Sequence, residues 1–282
     1  MAINARSSLL VGGHYRVGRK LQERGMGRVH AAVDRRDGSR VAIKIATYDS
    51  NDDADQDVIR LQREAVALWH LRHPSIVRML DAGFCDEGYY LALEYLDGFS
   101  VEEMLMREKP MPYDAAAQVT LRVLEALIVT HQAGLIHRDV KAGNVMMSSN
   151  GVKLIDFGLT TLTARRRPRR ITHPQMTVGT AAYMAPEQCR GTDGLDARVD
   201  VYACGHLLYE MLTGCLAIPD KEPSRILSRQ INVLPTPFAE VAPAARVPAA
   251  LQAVALRALE KQPRHRFQTA EEMHQAILDA VP

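Results

Sequence analysis

The chain changes texture at Asp97-Gly98, and that change limits its fold more than any other feature. Upstream, short β-branched runs dominate: HYRVGRKL (14–21), VHAAVD (29–34), RVAIKIA (40–46), IVRMLDAGF (76–84) and YYLALEYL (89–96). The RDG at 36–38 reads as a hairpin turn. One helix interrupts the strands. Over 56–72, Val58, Leu61, Ala65, Leu68 and Leu71 fall three or four apart, which puts them on one helical face. The acidic stretch DSNDDADQD (49–57) reads as a solvated loop ending in the helix N-cap, and His73-Pro74 stops the helix. Downstream, helical spacing predicts helices over 113–133, 197–213, 247–259 and 269–280. Strands gathered first and helices second predict an α+β chain. Its expected parts are a lead-in over 1–13, a small β-rich lobe over 14–96, a hinge near 94–98 and a larger helical lobe over 97–282.

Composition excludes more than it names. Hydrophobic residues make up 47% and charged residues 24%, so disorder is not the expected state. The net charge of +2 argues against a dedicated nucleic-acid binder. Removing the five arginines of ARRRPRR (164–170) would take it to −3, so the basicity is local. Cys85, Cys189, Cys204 and Cys215 lack CxxC spacing, which suits a reducing compartment and predicts a cytoplasmic location. No apolar run is long enough for a membrane span.

The sharpest segment is LIHRDVKAGNVMM (135–147). LIDFGL (154–159) follows, with Asp156 twelve residues after Asn144. MAPE (184–187) ends thirty-one residues after Asp156, and VAIK (41–44) stands upstream. Each motif alone is weak; the four in this order are specific. They resemble the eukaryotic-type (Hanks-type) protein kinase family over nearly the whole chain. GMGRVH (25–30) and LYEMLTG (208–214) look most like its bacterial serine/threonine branch. The resemblance implies a bilobal fold, with an N-lobe of antiparallel strands plus one helix and a mostly helical C-lobe. It also implies transfer of the γ-phosphoryl group of Mg-ATP to protein hydroxyls.

Phosphoryl transfer needs charge neutralisation and in-line positioning more than covalent chemistry. By resemblance, Lys44 contacts the α- and β-phosphates and pairs with Glu64, twenty residues on in the helix. Asp139 is the catalytic base, and Lys141 steadies the γ-phosphate, which favours Ser/Thr over Tyr. Asn144 and Asp156 hold Mg²⁺, which prefers hard oxygen ligands. The ATP-binding set is Leu21, Gly25, Gly27, Val29, Ala42, Lys44, Glu94, Leu96 and Met146. Val29 and Ala42 cap the adenine from above, Met146 from below, and Leu93 is the gatekeeper. Thr180 positions substrate, Asp200 ties the catalytic loop, and Arg266 partners Glu187. Thr172 and Thr177 are the expected phosphosites, with Arg138 as the residue that pairs with such a phosphate. Ala142 stands where the family usually has Pro, with little consequence expected. Protein Ser/Thr hydroxyls are the expected substrates, and self-association would serve autophosphorylation in trans.

The glycine-rich loop departs from the family pattern. In QERGMGRV (22–29), Gln22 and Arg24 occupy the first two glycine positions and only Gly27 stands at the third. Either these side chains stiffen and crowd the loop, or Arg24 reaches phosphate oxygens with its guanidinium. Weakened ATP binding is expected. The departure also keeps a second reading open, a pseudokinase that binds nucleotide or scaffolds partners without turnover. A small-molecule kinase of the aminoglycoside type shares the fold but lacks the MAPE segment. The cluster Arg165–Arg170 reads as a solvated loop tip, a clamp for a phosphothreonine or acidic partner, or a nuclear-import or nucleic-acid patch.

Overall fold

The structure is a computed structural model describing residues 9–22, 28–47, 52–162, 178–242 and 246–281. Two compact units divide the chain. The first takes residues through Arg72 together with Val77–Asp97, and the second takes His73–Ile76 and Gly98 onward.

The first unit is a six-stranded antiparallel sheet carrying one helix. Its elements are β1 (Leu10–Val11), β2 (Tyr15–Gln22), β3 (Arg28–Asp34), β4 (Arg40–Thr47), α1 (Asp52–His70), β5 (Met79–Cys85) and β6 (Gly88–Glu94). The strand order is β1-β2-β3-β4-β6-β5. The β3–β4 turn closes as the RDG segment predicts. Gly38, at a φ of 77°, donates to the Asp34 carbonyl at 2.8 Å, and Arg36 grips the Asp34 carboxylate. Val11, Tyr15, Ala32, Val41, Ile43, Ile45, Tyr90 and Ala92 form a buried cluster. All five periodic residues, Val58, Leu61, Ala65, Leu68 and Leu71, are buried.

Most strand ends shift by a residue or two from the sequence reading, and two boundaries shift further. Helix α1 begins at Asp52, so much of the acidic stretch is helical rather than loop. Carboxylates near a helix N-terminus are favoured by the exposed N–H groups there, and the first turns therefore accept them. Strand β5 begins at Met79 rather than 76, because Ile76 forms a parallel bridge with Leu154 in the second unit.

The second unit is mainly helical. It opens with β7 (Gly98–Ser100), α2 (Val101–Arg107), α3 (Tyr113–Gln132) and β8 (Leu135–Ile136). Strands β9 (Val145–Ser148), β10 (Gly151–Leu154) and β11 (Thr161–Leu162) follow. The remainder is α4 (Val178–Tyr183), α5 (Pro186–Cys189), α6 (Arg198–Thr213), α7 (Pro223–Asn232), α8 (Phe238–Val241), α9 (Ala249–Ala258) and α10 (Ala270–Ala280). Ser100 caps α2 and exchanges hydrogen bonds with Glu103 in a capping box. Gly98 pairs with Ser148 so closely that a Cβ there would run into the Met147 carbonyl, which explains the glycine at the change of texture. Helix α6 is the centre of the unit. Every residue from Val199 to Leu208 is buried, and Gly205 lets α9 approach, since a Cβ there would lie 2.7 Å from that of Ala258. Gly214 ends α6 in a left-handed cap and donates to the Glu210 carbonyl at 2.7 Å.

Candidate active site

In the first unit, register decides which residues share a face. Val29 lies opposite Lys44, and Ala42 lies opposite Leu93 and Ala31. Side chains alternate along a strand, so Val29, Ala31, Ala42, Lys44 and Leu93 share one face of the sheet. Glu64 reaches this face from α1, and its Oε1 accepts from Lys44 Nζ at 2.6 Å. Both residues are buried, so each charge depends on the other for compensation. Glu94 ends β6 and accepts the Arg78 N–H on its carboxylate at 2.7 Å. Leu21 is exposed on β2, and Leu96 is half-buried beyond β6. Gly25, Gly27 and Arg24 lie outside the described residues, as does the side chain of Gln22.

In the second unit, the loop after β8 gathers the remaining polar residues. Lys141 Nζ lies 2.7 and 2.9 Å from the two Asp139 oxygens and 3.0 Å from Thr180 Oγ1. Asn144 Nδ2 donates to the Asp139 carbonyl at 2.8 Å and to its carboxylate at 2.9 Å. Burial pushes the Asp139 carboxyl up to about 6; Lys141 opposes the rise and the Asp156 carboxylate adds to it. Ile155 N–H donates to the Asn144 carbonyl at 2.9 Å, which ties the loop to the segment carrying Asp156. Met146 follows on β9.

Asp200 holds the loop's backbone in place. It sits fully buried in the first turn of α6 and accepts from His137 N–H at 2.9 Å, Arg138 N–H at 2.8 Å and His131 Nε2 at 2.8 Å. Burial disfavours its charge, but the hydrogen bond and charge of His131, with His137 and Arg138 N–H, hold its carboxyl below the usual range. Arg138 adopts a φ of 68° and Asp156 one of 66°, a region that residues other than glycine rarely enter. The Asp200 bond to Arg138 N–H sits where the strain at Arg138 must be held. The His137 ring meets Phe157 edge-on at 4.6 Å, and burial lowers its pKa, so it stays neutral. Among the described residues Arg138 Nε is buried without a hydrogen-bond partner.

Glu187 and Arg266 form a two-pronged bridge of 2.7 and 2.8 Å. Arg266 is 1% exposed and also donates to the carbonyls of Glu260, Lys261 and Arg198. Thr172, Thr177 and Arg165–Arg170 lie outside the described residues.

Sequence reasoning missed two groups here. His131 donates to Asp200 across 69 positions, and nothing in its spacing signals that. Ala142 matters more than expected. Its N–H donates to the Tyr183 hydroxyl at 3.3 Å, and Tyr183 in turn bonds Glu210 on α6. Proline has no N–H and could not make that link. The signal was the absence of proline itself.

An antiparallel sheet with a single helix, followed by a helical unit around a buried central helix, is the architecture of a protein kinase domain. The chain belongs to that family: the protein kinase domain matches residues 15–278. It is similar to the serine/threonine-protein kinase PknB of Mycobacterium tuberculosis, 38% identical over 267 residues, covering 92% of this chain and 41% of that protein. A probable serine/threonine-protein kinase of Streptomyces coelicolor is 34% identical over 96% of this chain and 41% of its own length. One of Clostridium perfringens is 32% identical over 94% of this chain and 38% of its own. The chain thus spans about two-fifths of the length of these relatives.

Proposed function

We propose that this chain transfers the γ-phosphoryl group of Mg-ATP to serine and threonine hydroxyls of proteins and phosphorylates its own activation segment. The observation that carries the reading is the Asp139–Lys141–Asn144–Thr180 cluster. A carboxylate bonded to a lysine and an amide is poised to accept or orient a hydroxyl proton. Its raised pKa makes it a better proton acceptor than an ordinary aspartate while leaving it ionised at neutral pH. Lys141 stands ready to neutralise charge beside it, and Thr180 anchors Lys141. Lys44, oriented by Glu64, holds the α- and β-phosphates, and Val29, Ala42, Met146, Leu21, Glu94 and Leu96 serve the nucleotide. Gly25 and Gly27 take the part of the glycine-rich loop.

The residues present suit magnesium. The Asn144 amide donates through Nδ2 to Asp139, so its oxygen would serve as one hard ligand and the Asp156 carboxylate as another. Magnesium takes one or two protein oxygens and fills its shell with water and phosphate, so two such residues suffice. When bound, it would neutralise the phosphate charge.

The unpartnered Arg138 Nε supports Arg138 as the group that pairs with a phosphate on Thr172 or Thr177. Protein substrates, a cytoplasmic location and self-association in trans belong to the same reading. Among the described residues no helix is long and apolar enough to cross a membrane. Gln22 and Arg24 favour the second reading, a pseudokinase with a crowded phosphate loop.

The test is intact mass and phosphosite mapping of phosphatase-treated protein given Mg-ATP, beside Lys44→Met and Asp139→Asn. Phosphate should appear on Thr172 or Thr177 of the parent, with the Asp139→Asn rate down about 10²–10⁴-fold. No phosphate on the parent and none on a generic acceptor protein would favour the pseudokinase.

A further inference from the structure

Two cations of the second unit lie against one buried ring, and only one of them has a counter-charge. The ring is Tyr202 on α6, which is fully buried. The Arg266 guanidinium carbon lies 4.7 Å from its centre and Lys261 Nζ lies 5.6 Å from it. Arg266 is bridged to Glu187. Lys261 is half-buried and has no ion-pair partner among the described residues. Its Nζ donates instead to the Tyr202 hydroxyl at 3.1 Å. Arg266 and Arg190 face it with like charge, while the Cys189 thiol and Glu260 favour its charge. Burial and the Arg266 charge win, and they lower the Lys261 pKa to about 8.

The other lysines stand differently. Lys44 and Lys141 are matched by Glu64 and Asp139, and Lys153 is buried against the Ile76 carbonyl. Lys20, Lys109 and Lys221 are exposed. A half-buried amine beside another cation is the setting in which lysine becomes a nucleophile near neutral pH. At pH 7.4 roughly 20% of such an amine is neutral, against roughly 0.1% of an ordinary lysine. Tyr202 takes one N–H of the neutral amine and leaves the nitrogen lone pair unused.

We propose that Lys261, held on Tyr202 beside Arg266 and Arg190, is a modification site that acyl phosphates acylate directly. The neutral Nζ attacks the acyl carbon, so a C–N bond forms and the C–O bond to phosphate breaks. Inorganic phosphate leaves with the electron pair, and the amine proton passes to water. Such a donor carries its phosphate charge next to the reacting carbon, so the exposed Arg190 favours it over an acyl thioester. The product is a neutral amide, which removes a like charge from beside Arg266. The contact leads on to α4: the Tyr202 hydroxyl donates to Gln230 Oε1 at 2.6 Å, and Gln230 Nε2 donates to the carbonyl of Ala182, two residues past Thr180. The site goes beyond the phosphotransfer reading and does not depend on it.

The test treats the whole purified chain with a limiting dose of acetyl phosphate and follows each lysine by quantitative peptide mass spectrometry, from about pH 6.5 to about pH 10. At neutral pH Lys261 should be acetylated about tenfold faster than the exposed Lys109 and Lys221, since its lower basicity offsets part of the gain in neutral amine. Its rate should level off above about pH 8, whereas an ordinary lysine gains rate to about pH 10. In urea the preference should vanish, because burial and the neighbouring charges are lost. Arg190→Glu, at an exposed position that tolerates the change, should slow Lys261 about threefold and leave Lys109 and Lys221 as they were. A Lys261 rate no greater than that of Lys109 and Lys221, or one that climbs in parallel with theirs to the highest pH, would overturn the proposal. So would a preference that persists in urea, an Arg190→Glu rate equal to the parent's, or stronger labelling of Lys261 by acetyl coenzyme A, which would assign the site to thioester donors.

Discussion

Helices α1 and α6 each hold a buried acid of the candidate set, yet they hold it in opposite ways. Helix α6 is enclosed on all sides, and its Asp200 accepts from His131, His137 and Arg138. Helix α1 is packed on one side only, and its Glu64 meets Lys44 at 2.6 Å. An acid fixed by several donors inside a packed helix is part of the scaffold. An acid carried on a half-exposed helix moves whenever that helix does. The contrast is one of enclosure: α6 is buried along most of its length, whereas α1 shows solvent Ile59, Val66 and Trp69.

Removing Asp200 should break the scaffold hardest. Asp200→Ala leaves two backbone N–H groups and a histidine without their acceptor, and should cost about 4 kcal/mol in urea unfolding. An effect below about 1 kcal/mol would mean that the loop holds itself. Glu64→Ala should cost about half as much, roughly 2 kcal/mol, because the flexible lysine stem lets Lys44 seek water. Its main effect should fall on turnover with Mg-ATP, with the second unit's unfolding unchanged. Equal stability losses for the two variants would erase the distinction between the helices.

A smaller effect tests how tightly α6 is enclosed. His206 is buried between Tyr183 and Tyr202 and faces the Gln230 side chain. Burial, helped by the charge of Lys261, lowers its pKa to about 3. The unfolded chain binds this proton near pH 6.5 and the folded chain does not, so stability falls as pH drops below 6.5. Between pH 7 and 5.5 the loss from this group is about 1.3 kcal/mol. His206→Leu should remove that slope, seen as urea midpoints less sensitive to acid. A slope identical to that of the parent would show that the ring reaches water.

Parts of this were legible in the chain because they are local. Spacing put Val58, Leu61, Ala65, Leu68 and Leu71 on one face of a helix, and burial follows that face. The start of β5 was not legible, since Ile76 looks like strand in any short window and only its pairing with Leu154 decides otherwise. Nor was the worth of Ala142, because an N–H has value only where an acceptor such as Tyr183 stands near it.

The sequence by itself determined the chemistry on offer: an ordered set of Lys44, Glu64, Asp139, Asn144 and Asp156, and the change from strand to helix at Gly98. Periodicity and turn residues act over a few positions, so they survive without a fold. Tertiary structure alone decided that His131 meets Asp200, that Tyr183 bridges Ala142 and Glu210, and that Trp69 stays outside. Those outcomes depend on contacts between distant segments and on which helical face finds a neighbour, and a linear pattern carries neither.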